Sequence, residues 1–155
     1  MVKVLVALDN HKATLKGFQW YLENVFKITH EISIMHLAKP PTLLTGATPE
    51  AQEKATADFN AAEQKLEQQA KELMEKNNVP DDLYKYFSIE PSDHSMKAES
   101  IAKDIIKEIE NQGVDMIVMG CRNTKMKKFL GSVSDYVVKN ANCVCLVKKF
   151  EAKDL

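Results

Sequence analysis

The stretch GCRNTKMKKFLGSVSDYV, residues 120–137, has residue types that hold phosphate. Gly120 follows the apolar run VDMIVM, where a backbone that turns sharply and approaches a ligand leaves no space for a Cβ. It reads also as a plain strand-to-loop glycine. Gly131 and Ser132 open a second segment, in which Val133, Tyr136 and Val137 recur at helical spacing. The free N–H groups and dipole of such a helix start favour an anion, while the Ser132 hydroxyl can equally cap the helix. Between the glycines stand Arg122, Asn123, Lys125, Lys127 and Lys128, four cations without an acid. They could pair with phosphates, although for the lysines a solvated loop is the simpler reading.

Asp9 is the other residue with chemistry to offer. It ends the apolar run VKVLVAL, where a carboxylate can accept hydrogen bonds from a ribose hydroxyl or an adenine amine. Alternatively it caps the turn that it makes with Asn10. His36 reads as a core-facing, hydrogen-bonded histidine, and His11, His30 and His94 have no spacing that suggests a metal or a triad. Cys121 beside Arg122 is a weak candidate for a reactive thiol. Cys143 and Cys145 point the same way along a strand at ~6.6 Å, too far apart for an unstrained disulfide, and read as buried, apolar-acting side chains. No nucleophile elbow, paired acid and base, or metal cluster stands out, which argues against a dedicated hydrolase.

Alternating strands and helices must position these groups. Residues 2–8 read as a buried strand, and Phe18, Tyr21, Leu22 and Val25 mark an amphipathic helix over about 13–27. Residues 31–38 form a second strand that Lys39, Pro40 and Pro41 stop. Thr48 and Pro49 start a long helix, Thr48 as its cap, which ends near Asn77 and Asn78. Residues 83–89 make a more polar strand suited to an edge. Ile101, Ala102, Ile105, Ile106 and Ile109 stripe the next helix, which Gly113 closes. A strand at 114–119, a helix at about 132–141 and a strand at 143–148 complete the order β-α-β-α-β-α-β-α-β. Right-handed crossovers wind such an α/β chain into a doubly wound, open parallel sheet with helices on both faces. Its ligands bind where the strand order reverses, beyond the carboxyl ends of the first and fourth strands. Asp9 is thereby expected beside Gly120.

Composition narrows the classes further. The chain of 155 residues, 45% of them hydrophobic, suits a single domain over residues 1–155 with one ordinary core. A formal net charge of −1 gives no field that draws nucleic acid or anionic lipid. The apolar runs are strand-sized, short of the ~20 residues that a membrane helix needs. The start MVKVLV enters a strand pattern without a signal peptide's apolar region, so a cytoplasmic location is expected.

The segments VKVLVALD, MHL at 35–37, GVDMIVMG at 113–120, GSVSDYVV at 131–138 and CVCLVK resemble the universal stress protein family over nearly the whole chain. The resemblance implies a five-stranded parallel sheet of order 3-2-1-4-5 and often a homodimer. Many members bind ATP or another adenine nucleotide, and others have lost the motif. That motif runs Gly, two residues, Gly, nine residues, then Gly-Ser or Gly-Thr. Here Gly120 matches the first glycine, and Gly131 with Ser132 matches the closing pair. Asn123 replaces the middle glycine, although asparagine keeps some access to positive φ. Only seven residues separate it from Gly131, so the loop is two shorter than the pattern. The resemblance places Ala7 and Asp9 at adenine and ribose, Leu37 on an adenine wall, and Met119, Arg122 and Val133 along the nucleotide.

The expected function is accordingly a cytoplasmic stress-response protein that binds ATP or AMP, with or without magnesium, as a sensor or regulator. ATP hydrolysis would be slow at most. The alternative is a nucleotide-free interaction module that kept the scaffold and lost the phosphate loop. The apolar last strand, exposed at a sheet edge, calls for a second copy of the chain to cover it.

Overall fold

Val2, Val4, Val6 and Leu8 point to one face of the first strand and Leu5 to the other, so this strand needs cover on both sides. It has it. The computed structural model, which describes residues 1–42, 45–122 and 130–155, places β1 (Val2–Leu8) at the centre of a five-stranded sheet. The order of elements is β1, α1 (Lys12–Asn24), β2 (His30–Leu37), α2 (Pro49–Lys76), β3 (Tyr84–Ile89), α3 (Ala98–Gln112), β4 (Met116–Arg122), α4 (Ser132–Asn140) and β5 (Val144–Phe150). Every pairing is parallel, and the strands lie in the order β3-β2-β1-β4-β5. Fold class and strand order are thus as expected.

The core has two layers. Val4, Val6 and Leu8 pack with Phe18 and Tyr21 of α1 and with Leu66, Ala70 and Met74 of α2. On the opposite face Leu5, Ile117 and Met119 pack with Ala102, Ile105 and Ile109 of α3 and Val137 of α4. Helix ends follow local chemistry. Thr48 Oγ1 accepts from Ala51 N at 3.2 Å ahead of Pro49, and Gly113 ends α3 at φ 62°, a backbone state that glycine enters freely. Among the described residues, no helix is long and apolar enough to cross a membrane.

The structure corrects some boundaries. Helix α1 stops at Asn24: Val25 caps it with the last helical bond, to Tyr21 O, and Phe26 N departs from the ladder by donating to the same Tyr21 O. Strand β4 begins at Met116 and runs on through Gly120 to Arg122, and β5 extends to Phe150, because Gly120, Cys121 and Arg122 pair with Lys148, Lys149 and Phe150. The sharp turn expected at Gly120 is therefore absent.

What Gly120 does instead is admit a helix. Helix α1 rests on β4 so closely that a Cβ built on Gly17 would lie 2.6 Å from Gly120 Cα and 2.8 Å from Gly120 N. A Cβ on Gly120 would overlap the carbonyl oxygen of Ala13. The two missing side chains let backbone meet backbone. Gly17→Ala is expected to lower stability by about 3 kcal/mol, as overpacking of a site with no room to yield does, although alanine is the better helix former. Urea unfolding of the variant checks this; an unchanged midpoint contradicts the close contact.

Candidate functional site

The ladder between β1 and β4 ends at the pair Val6 and Val118. Beyond it Ala7 and Leu8 of β1, Asp9 just after that strand, and Met119 and Gly120 of β4 border a cleft of about 330 Å3. Leu37 of β2, Ile101 and Ile105 of α3 and Met96 before α3 add apolar walls, and Thr14, Val133 and Ser134 add the starts of α1 and α4. The cleft lies at the switch point of the sheet, as the topology requires.

Six of the expected residues, Ala7, Asp9, Leu37, Met119, Gly120 and Val133, meet in this wall. Arg122 is exposed at the end of β4, and Gly131 and Ser132 stand just outside the wall at the start of α4. Ser132 is not the cap of α4. Gly131 occupies the capping position, Ser132 is the first helical residue, and among the described residues no side chain caps the helix. Asn123, Lys125, Lys127 and Lys128 lie outside the described residues.

Asp9 fills the structural role read from its position and lies in the cleft wall. Its Oδ1 accepts from His11 N at 2.8 Å and from Thr14 Oγ1 at 3.0 Å, and its own N donates to Thr14 Oγ1 at 3.1 Å. The carboxylate thus braces the turn into α1, with His11 and Thr14 rather than Asn10 as partners, and Oδ2 stays outside this network among the described residues. Residues 9–11 also border a second hollow of about 330 Å3 between α1 and α2, lined by Lys12, Lys65 and Gln69 among others.

His36 is buried, as expected, and its Nδ1 lies 2.5 Å from Glu63 Oε1 of α2 but out of line for a good hydrogen bond. Glu63 in turn accepts from Ser88 Oγ at 2.6 Å. Cys121 is buried, and burial pushes the Cys143 thiol up to about 11 and raises that of Cys145. The latter two are poor nucleophiles near neutral pH. No group of three potential metal ligands stands together among the described residues.

Thr14, Met96, Ile101, Ile105 and Ser134 line the cleft without having been singled out as site residues in the sequence. Ser134 carried a signal, since it sits in the GSVS segment two residues beyond Ser132. The α3 isoleucines were legible only as core, a role they share with the cleft. The arrangement offers an apolar slot, one carboxylate, the side chains of His11 and His36 and, beside them, a helix start. That set can bind a planar base, a sugar and an anion.

Known structures share the fold. A universal stress protein family protein from Burkholderia pseudomallei is 18% identical, with a TM-score of 0.65 over 94% of this chain and 93% of that one. A universal stress protein family protein from Arabidopsis thaliana, solved with AMP bound, is 19% identical, with a TM-score of 0.64 over 99% and 95%. A universal stress protein in complex with cAMP is 14% identical, with a TM-score of 0.61 over 94% and 95%. No curated protein matches the sequence. The family model described as "Universal stress protein family" matches residues 1–149. With that match across nearly its whole length, the chain belongs to the universal stress protein family.

Proposed function

We propose that this chain binds an adenine nucleotide, ATP or AMP, in the cleft beyond β1 and β4, and that its occupancy serves as a sensor or regulator of a cytoplasmic stress response. The observation that carries the reading is the meeting, in one cleft of nucleoside size, of an apolar slot with Asp9, beside the start of α4. The AMP and cAMP complexes of proteins with this fold support it. In this reading Leu37 and Met119 hold the base with Ala7, and Asp9 takes the ribose. Gly120, Gly131, Ser132 and Val133 receive the inner phosphate, with Arg122 and Asn123 beyond it. Hydrolysis is slow at most, because the described cleft has no second acid to activate water or to help hold magnesium.

One observation favours the nucleotide-free alternative. Asp9 Oδ1 already serves His11 and Thr14, so only Oδ2 is left for a ligand. Asp9→Asn separates the roles, because the amide oxygen keeps the brace while the amide nitrogen cannot accept from a hydroxyl. Calorimetry is expected to show AMP binding weakened about tenfold, or ~1.4 kcal/mol, with thermal stability nearly unchanged. Asp9→Ala loses binding and about 1 kcal/mol of stability as well. AMP binding by Asp9→Asn equal to the parent's leaves Asp9 a structural role alone.

The phosphate loop sets the preference between nucleotides. It is two residues shorter than the family pattern and carries Asn123 where that pattern has glycine, so the outer phosphates gain few backbone donors. ATP and AMP are expected to bind within about tenfold of each other, and glycine at 123 with a two-residue insertion is expected to favour ATP. Titration of both nucleotides into both proteins decides; a hundredfold preference of the parent for ATP contradicts the weak grip.

A homodimer through β5 completes the proposal. At this sheet edge Val144 is 60% exposed and Val138 of the adjoining helix 42% exposed, apolar surface that a two-fold partner strand would cover. Light scattering at tens of micromolar is expected to give twice the monomer mass, and a monomer at that concentration overturns this part.

A further inference from the structure

We infer that Met96 is the cover of the cleft's base end, a specificity-determining residue that closes over the face of a planar aromatic ring; the inference rests on the adenine-nucleotide reading. Met96 has φ 55°, in the left-handed region that glycine and asparagine enter more readily than other residues. Among the described residues the other non-glycine in that region is Asn78, at the end of α2, where asparagine is the tolerated type. A methionine there is held by its surroundings.

The holding groups are the carboxylates of Asp93 and Asp104 and the backbone carbonyl of Asp93. Asp93 accepts from Ser95 N at 2.9 Å, Ser95 Oγ at 2.6 Å and Ser100 Oγ at 3.1 Å, and Met96 N itself donates to Asp93 O at 3.2 Å. The buried Asp104 of α3 accepts from Ser92 N at 3.0 Å. These bonds over-determine the loop between β3 and α3, as a strained backbone at a functional site requires. What the strain achieves is placement. The Met96 side chain lines the cleft together with Leu37, Ile101, Ile105 and Met119. Two thioethers and three branched alkyl chains thus bound the slot, and polarizable sulfur favours contact with an aromatic ring. None of these five side chains carries a strong hydrogen-bond donor or acceptor, so they offer contact to ring surface, while Asp9, Asn10, His11 and His36 supply the polar part of the same lining.

The test separates cover from loop support, because glycine suits φ 55° and removes the cover. Met96→Gly is expected to be at least as stable as the parent to heat while binding AMP about five- to tenfold more weakly, as loss of apolar contact with the ring dictates. Met96→Leu, of similar volume, is expected to stay within about twofold. In protein labelled with 13C at the methionine methyls, the Met96 signal is expected to move on addition of AMP under the ring current of the base. Met96→Gly that binds AMP as the parent does, or a Met96 signal that stays in place at saturation, overturns the cover alone. A parent that binds no AMP overturns both this inference and the proposed function.

Discussion

The contact of Gly17 with Gly120 is the constraint from which the site follows. A parallel sheet gains its cover from helices that usually stand off by the length of a side chain, and here that spacing is removed at one point. Lowering α1 onto β4 fixes the path of the chain between β1 and the helix, and therefore where residues 9–14 sit relative to the end of β4. Gly120 has two neighbours in this arrangement. One side of its Cα takes the helix, and the residue also borders the cleft. Core packing and ligand contact are thus demands on the same backbone atoms, and a side chain there would fail the first before it could affect the second.

The cleft itself is assembled from parts with separate duties. The isoleucines of α3 belong to the core under the sheet as much as to the cleft wall. Asp9 braces a turn, and α4 begins at a glycine cap. None of these features depends on a ligand to be maintained. The loop at 90–97 differs: its hydrogen bonds hold a methionine in a conformation that folding alone gives no reason to choose.

Much of the architecture was legible because burial on both faces writes continuous apolar runs. VKVLVAL and VDMIVM announce central strands, the isoleucine stripe announces α3, and the alternation with helices leaves few topologies open. The switch point then placed Asp9 near Gly120 before any contact was known. Gly17 was not legible, since a glycine inside a helical pattern looks like a propensity penalty, and its reason lies on a strand far along the chain. Met96 was hidden in the polar run SDHSMK, where no periodicity points inward. Gly120 was identified as a site residue for the wrong local reason: the strand continues past it, so the demand for a small residue comes from α1 above and not from a turn.

The turn at residues 9–11 is a partition with a hollow on either side, one at the ends of β1 and β4 and the other between α1 and α2. Its main brace is the Asp9 carboxylate, bound to His11 and Thr14. Whatever draws that carboxylate toward the first hollow pulls on the first turn of α1, whose outer surface walls the second. One side chain thereby ties the wall of the first hollow to the first turn of the helix that walls the second, so the two hollows on opposite faces of the sheet share a single brace.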